Sequence, residues 1–216
     1  MRVVYFLEDR AQEGLVTALV ARVAREEGIP EDAVNHDIRS ARHGAKALED
    51  FRRFITDSAT EDVHDVAFLL VMIDGNCQTR AQRLRQLEAI VPERYPLLQS
   101  IVYAVADPHV ERWYLMDQAA WHKAIGGAYP PQLPQYKCDQ DYYKHLLADA
   151  VRDSGVSALL GGTEFGAAIV EAMEDLNNTS YPDGAFTQLV HDLRHATRSK
   201  VHGARGRRSA GNNAVA

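Results

Sequence analysis

Three acidic residues stand beside apolar segments that are far apart in the chain. Glu8 follows the apolar residues 3–7, Asp74 follows the apolar residues 68–73, and Glu111 comes shortly after a third apolar segment. Carboxylate oxygens are the ligands that hard divalent cations prefer in proteins. If the fold brings these three side chains together, they could hold such a cation.

The segments before these acids are predicted to be strands. Each is short and rich in β-branched and aromatic residues, which is typical of buried strands in a parallel sheet. Ligands of such sheets bind at the carboxyl ends of the strands, so we expect the acids to converge on one crevice. The predicted strands are 2–7, a weaker one at 33–38, 66–73 and 100–106.

Segments with helical periodicity alternate with these strands. This alternation predicts an α/β fold, a Rossmann-like and mainly parallel sheet with right-handed crossovers and helices on both faces. The chain after Glu111 is predicted to be mostly helical and to form a C-terminal extension. The predicted helices are 12–27, 44–56, 82–90, 113–123, 139–153, 163–177 and 184–198.

The length of 216 residues fits one domain with a helical extension. We predict an α/β domain over residues 1–125 and a helical flank of the same domain over 126–196. Residues 197–216 carry five basic residues and no acid, so the net charge of −6 leaves −11 on residues 1–196. We predict that this basic segment is disordered, and that it either contacts nucleic-acid phosphates or merely solubilises the terminus.

Composition and motifs exclude several classes of protein. No apolar run is long enough to cross a bilayer and no cleavable signal is evident, so we expect a cytoplasmic protein without a membrane partner. Cys77 and Cys138 are too few for a four-thiolate zinc site, and we expect both to be free thiols. No Walker-type phosphate loop occurs, so the chain encodes no nucleoside triphosphatase.

The acidic segments also resemble a known family. Leu7-Glu8-Asp9 and Ile73-Asp74-Gly75-Asn76 resemble motifs of the TOPRIM fold, the metal-binding domain of topoisomerases, primases and overcoming-lysogenization-defect nucleases. The sequence Glu111-Arg112-Trp113-Tyr114-Leu115-Met116-Asp117 is similar to the E-x-W-x-L-x-D signature of a small bacterial TOPRIM-like family. Tyr142-Tyr143-Lys144 is similar to the helical end of that family, so the resemblance covers most of residues 1–196.

The resemblance implies a divalent-metal-dependent nuclease that acts in defence against foreign DNA. Glu8, Asp74 and Glu111 would be its catalytic residues and would hold Mg²⁺ or Mn²⁺ together with Asn76. It also implies nucleic acid as a partner and an ATPase carried on a separate chain, and it is compatible with an oligomer. The chain departs from the family where Asn76 replaces the second acid of a DxD motif. An amide brings no charge, which predicts weaker metal binding and one ion rather than two.

Further residues are predicted to assist at this site. Asp9 and Glu13 could be outer metal ligands. A general base could be Glu8 by resemblance, or a histidine, since histidine titrates near neutral pH. The basic residues predicted to bind substrate phosphate are Arg10, Lys46, Arg80 and Arg112, and the candidate histidines are His36, His43 and His109.

Two other functions are open at this point. One is a non-catalytic regulatory or binding subunit that keeps the TOPRIM-like fold, with Asn76 as the mark of lost metal binding. The other is a receiver-like signalling domain that binds Mg²⁺ among similar acids. A receiver expects a lysine at the end of its last strand, and residues 102–108 contain none.

Overall fold

The structure, a computed structural model, describes residues 1–42, 44–59, 63, 65–127, 132–133, 136–139, 141–178 and 181–211. The strands are β1 (Arg2–Leu7), β2 (Asn35–Ser40), β3 (Val66–Asp74) and β4 (Ile101–Ala106). The helices are α1 (Glu13–Glu26), α2 (Ala47–Ser58), α3 (Arg80–Glu88), α4 (Glu111–Tyr114), α5 (Gln118–Ile125), α6 (Tyr142–Asp153), α7 (Gly166–Ala172) and α8 (Gly184–Gly211).

The four described strands form one parallel sheet in the order β2-β1-β3-β4. This confirms the predicted α/β class with its parallel sheet and helical C-terminal extension. The chain leaves β1 toward β2 on one side and leaves β3 toward β4 on the other, so the winding direction changes between β1 and β3. Leu7 is in register with Met72, and Asp74 with Ala106, so the strands end along one edge. A crevice opens at such a switch point.

Both faces of the sheet are covered, because successive side chains of a strand point to opposite faces. Tyr5 and Leu7 lie in the cluster that includes residues of α1, α7 and α8, whereas Phe6 lies in the second cluster, with residues of α2 and α3. Both clusters continue through the neighbouring strands. The sheet is therefore a buried layer, which explains why β3 is apolar almost throughout.

The C-terminal helices belong to the same core as the sheet. Four residues of α8 are fully buried in the first cluster: Phe186, Leu189, Val190 and Leu193. The helix continues to Gly211, so it overlaps the segment 197–216 that the sequence predicts to be disordered. Residues 212–216 lie outside the described part of the chain. Although α8 is 28 residues long, neither it nor any other described helix is apolar enough to span a membrane.

The predicted helix 113–123 is two helices in the structure. The helix α4 ends at Tyr114, and α5 begins after Asp117, whose carboxylate accepts a hydrogen bond from the Ala120 amide at 2.9 Å. Aspartate is a strong N-cap because it satisfies an amide that has no partner within the helix. The cap at Asp117 therefore starts a new helix inside a segment whose periodicity looked continuous.

The predicted helix 163–177 is shortened to α7, and its end is held by Arg22 of α1. The buried Arg22 guanidinium donates to the carbonyls of Met173 at 2.6 Å and Glu174 at 3.2 Å, and also to Val170. Carbonyls at the end of a helix lack partners within the helix, and a cation beside them interacts favourably with the helix dipole. Arg22 therefore joins the C-terminal flank to α1.

We expect Arg22→Met to lower the free energy of unfolding by about 2–4 kcal/mol, because it leaves buried carbonyls without their charged donor. Urea denaturation monitored by circular dichroism measures this change. Arg25 lies on the same helix but is 45% exposed and pairs with Glu31 and Glu171 at the surface. Arg25→Met should therefore cost no more than about 1 kcal/mol. Equal losses in the two variants would contradict this account of Arg22.

Candidate metal centre

Asp74 ends β3 and lies at the middle of a hydrogen-bonded network. One carboxylate oxygen, Oδ1, accepts from the Val110 amide at 3.1 Å and from Nε2 of Gln12 at 3.2 Å. The other, Oδ2, lies 3.3 Å from Nδ1 of His109. These partners come from the segments that follow β1 and β4, so Asp74 ties the ends of neighbouring strands together and its carboxylate has a fixed orientation.

Glu8 follows β1 and faces the start of the loop after β3. Its Oε2 accepts from the Asp74 amide at 2.7 Å, and its Oε1 lies 3.4 Å from Nδ2 of Asn76. The side chain is buried, and burial is the largest cause that raises the pKa of Glu8 to about 7. The negative charge of Asp74 is the second cause. The Glu8 carboxyl is therefore able to gain or lose a proton near neutral pH.

Glu111 is the first residue of α4 and is 3% exposed. Burial raises its pKa to about 7, with the charge of Asp74 as the second cause. His109, two residues earlier, has a raised pKa because of its hydrogen bond to Asp74. Two glutamates beside one aspartate thus make a buried site where negative charge is unfavourable unless protons or a cation compensate it.

These side chains line one open cleft of about 460 Å³ at the carboxyl edge of the sheet. Lys144 of α6 lines the same cleft, and its positive charge lowers the pKa of Glu111 and of Asp9 against the larger effect of burial. The lining residues are Glu8, Asp9, Gly44, Asp74, Asn76, Cys77, His109, Glu111, Asp141 and Lys144. The cleft therefore combines oxygen ligands for a cation with an ammonium group suited to a phosphate.

A second cleft of about 390 Å³ adjoins the first and shares Glu8, Gly44 and Asn76 with it. Lys46 and Arg83 line this second cleft, so positive side chains are found in both clefts beside the shared acid. Together the two clefts make a groove that passes over the acidic residues. The groove therefore carries both acidic and basic side chains.

The structure brings together the four predicted metal ligands but only one of the four predicted phosphate-binding residues, Lys46. Arg10 is exposed and lines neither cleft. Arg80 lies 3.8 Å from Asp192 of α8. Arg112 donates to the Asp107 carbonyl and pairs with Asp183 at 3.4 Å. Arg80 and Arg112 therefore hold elements together and do not face the cleft.

Of the other residues predicted to assist at the site, some line the cleft and others do not. Asp9 and His109 line the cleft, whereas Glu13 begins α1 and does not. His36 is in register with Val3, at the other end of the sheet, and its Nδ1 is 2.6 Å from the Tyr5 hydroxyl. His43 lies outside the described residues. Among the histidines proposed as a base, His109 is therefore the one that the described structure places in the cleft.

The prediction that Cys77 and Cys138 are free thiols is wrong. The two form a disulfide, with their Cα atoms 5.4 Å apart across a sequence separation of 61. Nothing in the local sequence of either cysteine indicates its partner. The pairing arises because the loop after β3 and the segment before α6 meet beside the cleft.

Two further site residues escaped the sequence-based prediction. The sequence singles out Lys144 only as part of the Tyr142-Tyr143-Lys144 motif, because nothing local shows that α6 folds back over the sheet edge. Gln12 is fully buried; its Oε1 accepts from the Glu8 amide at 2.9 Å and its Nε2 donates to Asp74. The spacing of four residues from Glu8 was the available signal, since it lets a side chain reach back to the strand end.

We expect Gln12→Met to lower the free energy of unfolding by about 1–3 kcal/mol, because it removes one buried donor to Asp74 and one acceptor of the Glu8 amide. The methionine keeps the length of the side chain, so packing changes little. Gln86→Met on the exposed face of α3 is the matched control and should stay within about 0.5 kcal/mol of the wild type. Chemical denaturation of both variants gives the comparison. A Gln12→Met protein as stable as the wild type would contradict the role of these hydrogen bonds.

The side chains of the cleft fit a divalent cation in their chemistry but not in their present positions. No group of three or more His, Cys, Asp or Glu side chains within the described ranges stands in an arrangement that could hold a metal ion. The donors are nevertheless hard oxygen ligands from Glu8, Asp74, Asn76 and Glu111 in one cleft, and the pKa of both glutamates is raised. The chemistry of the donor set fits Mg²⁺ or Mn²⁺, whereas the positions of the carboxylates require side-chain rotation to share one ion.

Fold and site together define a doubly wound α/β protein with an acidic cleft at the carboxyl edge of its sheet. Comparison with known proteins adds no relative: no family model, no curated protein and no solved structure matches this chain.

Proposed function

We propose that this protein is a divalent-cation-dependent nuclease with a TOPRIM-like site. The observation that carries the proposal is the convergence of Glu8, Asp74 and Glu111 on one cleft at the switch point of the sheet. The pKa values of the two glutamates, both about 7, mean that the cleft binds protons near neutral pH. A cation that displaces these protons would relieve the repulsion between the buried carboxylates.

In this proposal Glu8, Asp74 and Glu111 hold Mg²⁺ or Mn²⁺, with the amide oxygen of Asn76 as a neutral ligand. The bound ion would polarise a phosphodiester and acidify a water molecule. Gln12 and His109 keep the Asp74 carboxylate in place through their hydrogen bonds. These two side chains therefore act on the reaction by orienting Asp74.

The basic residues of the groove define the proposed substrate. Lys144 lies in the acidic cleft, and Lys46 and Arg83 lie in the adjoining cleft. Phosphates on either side of the cleaved bond would meet these cations, which favours a polynucleotide as substrate. A role in defence against foreign DNA and an ATPase partner on another chain stay predictions of the family resemblance alone.

A cleavage assay tests the proposal directly. Purified protein is incubated with labelled single-stranded DNA, double-stranded DNA and RNA, each with Mg²⁺, Mn²⁺, Ca²⁺ or EDTA. We expect products with Mg²⁺ or Mn²⁺ and none with EDTA, because the carboxylates need a bound cation to act on a phosphodiester. Absence of cleavage under every condition, together with absence of Mn²⁺ binding by calorimetry, would contradict the proposal.

A second candidate function is a non-catalytic nucleic-acid-binding or regulatory protein with the same fold. The neutral Asn76 and the lack of a ready-made metal cluster among the described residues favour it. The variant Asn76→Asp distinguishes the two candidates, because a fourth carboxylate strengthens cation binding. Cleavage that appears only in Asn76→Asp supports the non-catalytic candidate, whereas cleavage by the wild type supports the nuclease.

A further inference from the structure

The disulfide between Cys77 and Cys138 lies at one side of the acidic cleft. Cys77 lines the cleft and directly follows the proposed ligand Asn76. Cys138 lies three residues before Asp141, and Asp141 lines the same cleft just before α6 begins. The bridge therefore joins the loop that carries a proposed metal ligand to the segment that positions Lys144.

The loop joined by this bridge has an unfavourable backbone conformation. Asn76 has a φ of 49° and Cys77 a φ of 69°, and residues other than glycine adopt this left-handed region rarely. The Asn76 amide donates to the Pro108 carbonyl at 3.0 Å, which holds the first of the two residues. The Gln78 amide donates to the Gly75 carbonyl at 3.0 Å, which closes a turn around both left-handed residues, and the disulfide adds a covalent constraint on Cys77.

The bridge is accessible to a reductant. Cys77 is exposed and Cys138 is partly exposed, so a small dithiol can reach the sulfur atoms. In the exchange, the thiolate of the dithiol attacks one sulfur and the second thiol resolves the mixed disulfide. Two electrons and two protons pass from the dithiol to the protein, which gains two thiols while the dithiol closes into a disulfide.

We propose that the Cys77–Cys138 bridge is a redox-sensitive lock on the metal-binding loop. In the oxidised protein the lock keeps Asn76 beside Glu8 and fixes the segment before α6 beside the cleft. After reduction the covalent constraint on Cys77 is lost and only hydrogen bonds hold the turn, so the loop becomes more mobile and divalent cations bind less tightly. The effect on cation affinity rests on the proposed function, whereas the change in loop mobility does not.

Hydrogen–deuterium exchange and calorimetry test the lock together. The oxidised protein is compared with protein reduced by a dithiol, which is then removed by gel filtration without air. We expect amide exchange over residues 75–78 and 141–144 to be at least about tenfold faster after reduction, since fewer constraints oppose local opening. We expect the Kd for Mn²⁺ to rise by about tenfold, equivalent to about 1.4 kcal/mol.

The double variant Cys77→Ser/Cys138→Ser is the matched control. It should resemble the reduced protein and show no response to the dithiol, because it has no bond to reduce. The reduced wild type provides the same comparison if the variant folds poorly. Alkylation should label no cysteine before reduction and two after it, and two reactive thiols before reduction would overturn the lock.

The outcomes separate this inference from the proposed function. If neither form binds Mn²⁺ but exchange still quickens on reduction, the metal site is wrong and the lock stands. If both forms bind Mn²⁺ equally and exchange is unchanged, the lock is wrong and the metal site stands. Faster exchange with weaker Mn²⁺ binding supports both.

Discussion

Asp74→Asn is expected to abolish detectable Mn²⁺ binding and to lower phosphodiester cleavage by at least about a thousandfold, equivalent to about 4 kcal/mol of lost transition-state stabilisation. Asp74 is the acid at the centre of the network, and after burial its charge is the largest cause of the raised pKa of both Glu8 and Glu111. The asparagine oxygen can still accept from the Val110 amide and Gln12, so the fold should survive. Isothermal titration calorimetry and the cleavage assay measure the two effects.

The control for Asp74→Asn is Asp141→Asn. Asp141 lines the same cleft, but its side chain is 48% exposed and lies 3.8 Å from Lys144. Its charge is therefore partly screened by water, and we expect the Kd for Mn²⁺ to change by no more than about threefold. Normal Mn²⁺ binding by Asp74→Asn, or an equal loss of Mn²⁺ affinity in both variants, would contradict a central role for Asp74 in the site.

Glu111→Gln is expected to stabilise the metal-free protein at pH 8 while it weakens cation binding. The pKa of Glu111 is raised from 4.5 to about 7 on folding, so the folded state favours the protonated carboxyl. Between these values the folded protein binds more protons than the unfolded chain, and the free energy of unfolding falls as the pH rises. Above about pH 7 the loss is complete and amounts to at most about 3 kcal/mol for this residue.

The glutamine cannot ionise, so it removes this loss. Urea unfolding in EDTA at pH 5 and pH 8 should show a smaller pH-dependent loss in Glu111→Gln than in the wild type, with the larger gain at pH 8. Glu8 acts in the same direction, with a pKa of about 7, so part of the pH dependence should remain in the single variant. Glu88→Gln on the exposed surface of α3 is the control and should not change the pH dependence. A Glu111→Gln protein no more stable than wild type at pH 8 would contradict the buried charge.

The parallel sheet could be predicted because its signals are local. The apolar runs at β1, β3 and β4 and the helical periodicity of α1 are each visible within about a dozen residues. The acids of the site were found for the same reason, since a position at the end of a strand places a side chain at the carboxyl edge whatever the rest of the fold does. Position along a strand therefore predicted which carboxylates share the cleft.

The rest of the site depends on contacts between distant segments. Arg112 follows a strand closely, which suggested a phosphate ligand, but Asp183 lies 71 residues further along the chain and binds it instead. Lys144 enters the cleft because α6 folds back over the sheet edge, and Cys77 meets Cys138 across 61 residues. Periodicity and local motifs contain no information about such pairings, so neither the position of Lys144 in the cleft nor the disulfide could be predicted.

The place of α8 in the core has a consequence for synthesis of the protein on the ribosome. The sheet is complete at Ala106, yet Phe186, Leu189 and Val190, which cover one of its faces, are added about eighty residues later. At translation rates of about 5–20 residues per second, the part of this face that α8 covers stays exposed for several seconds. During that interval the nascent chain exposes apolar surface, and the core is complete only when α8 has left the ribosome.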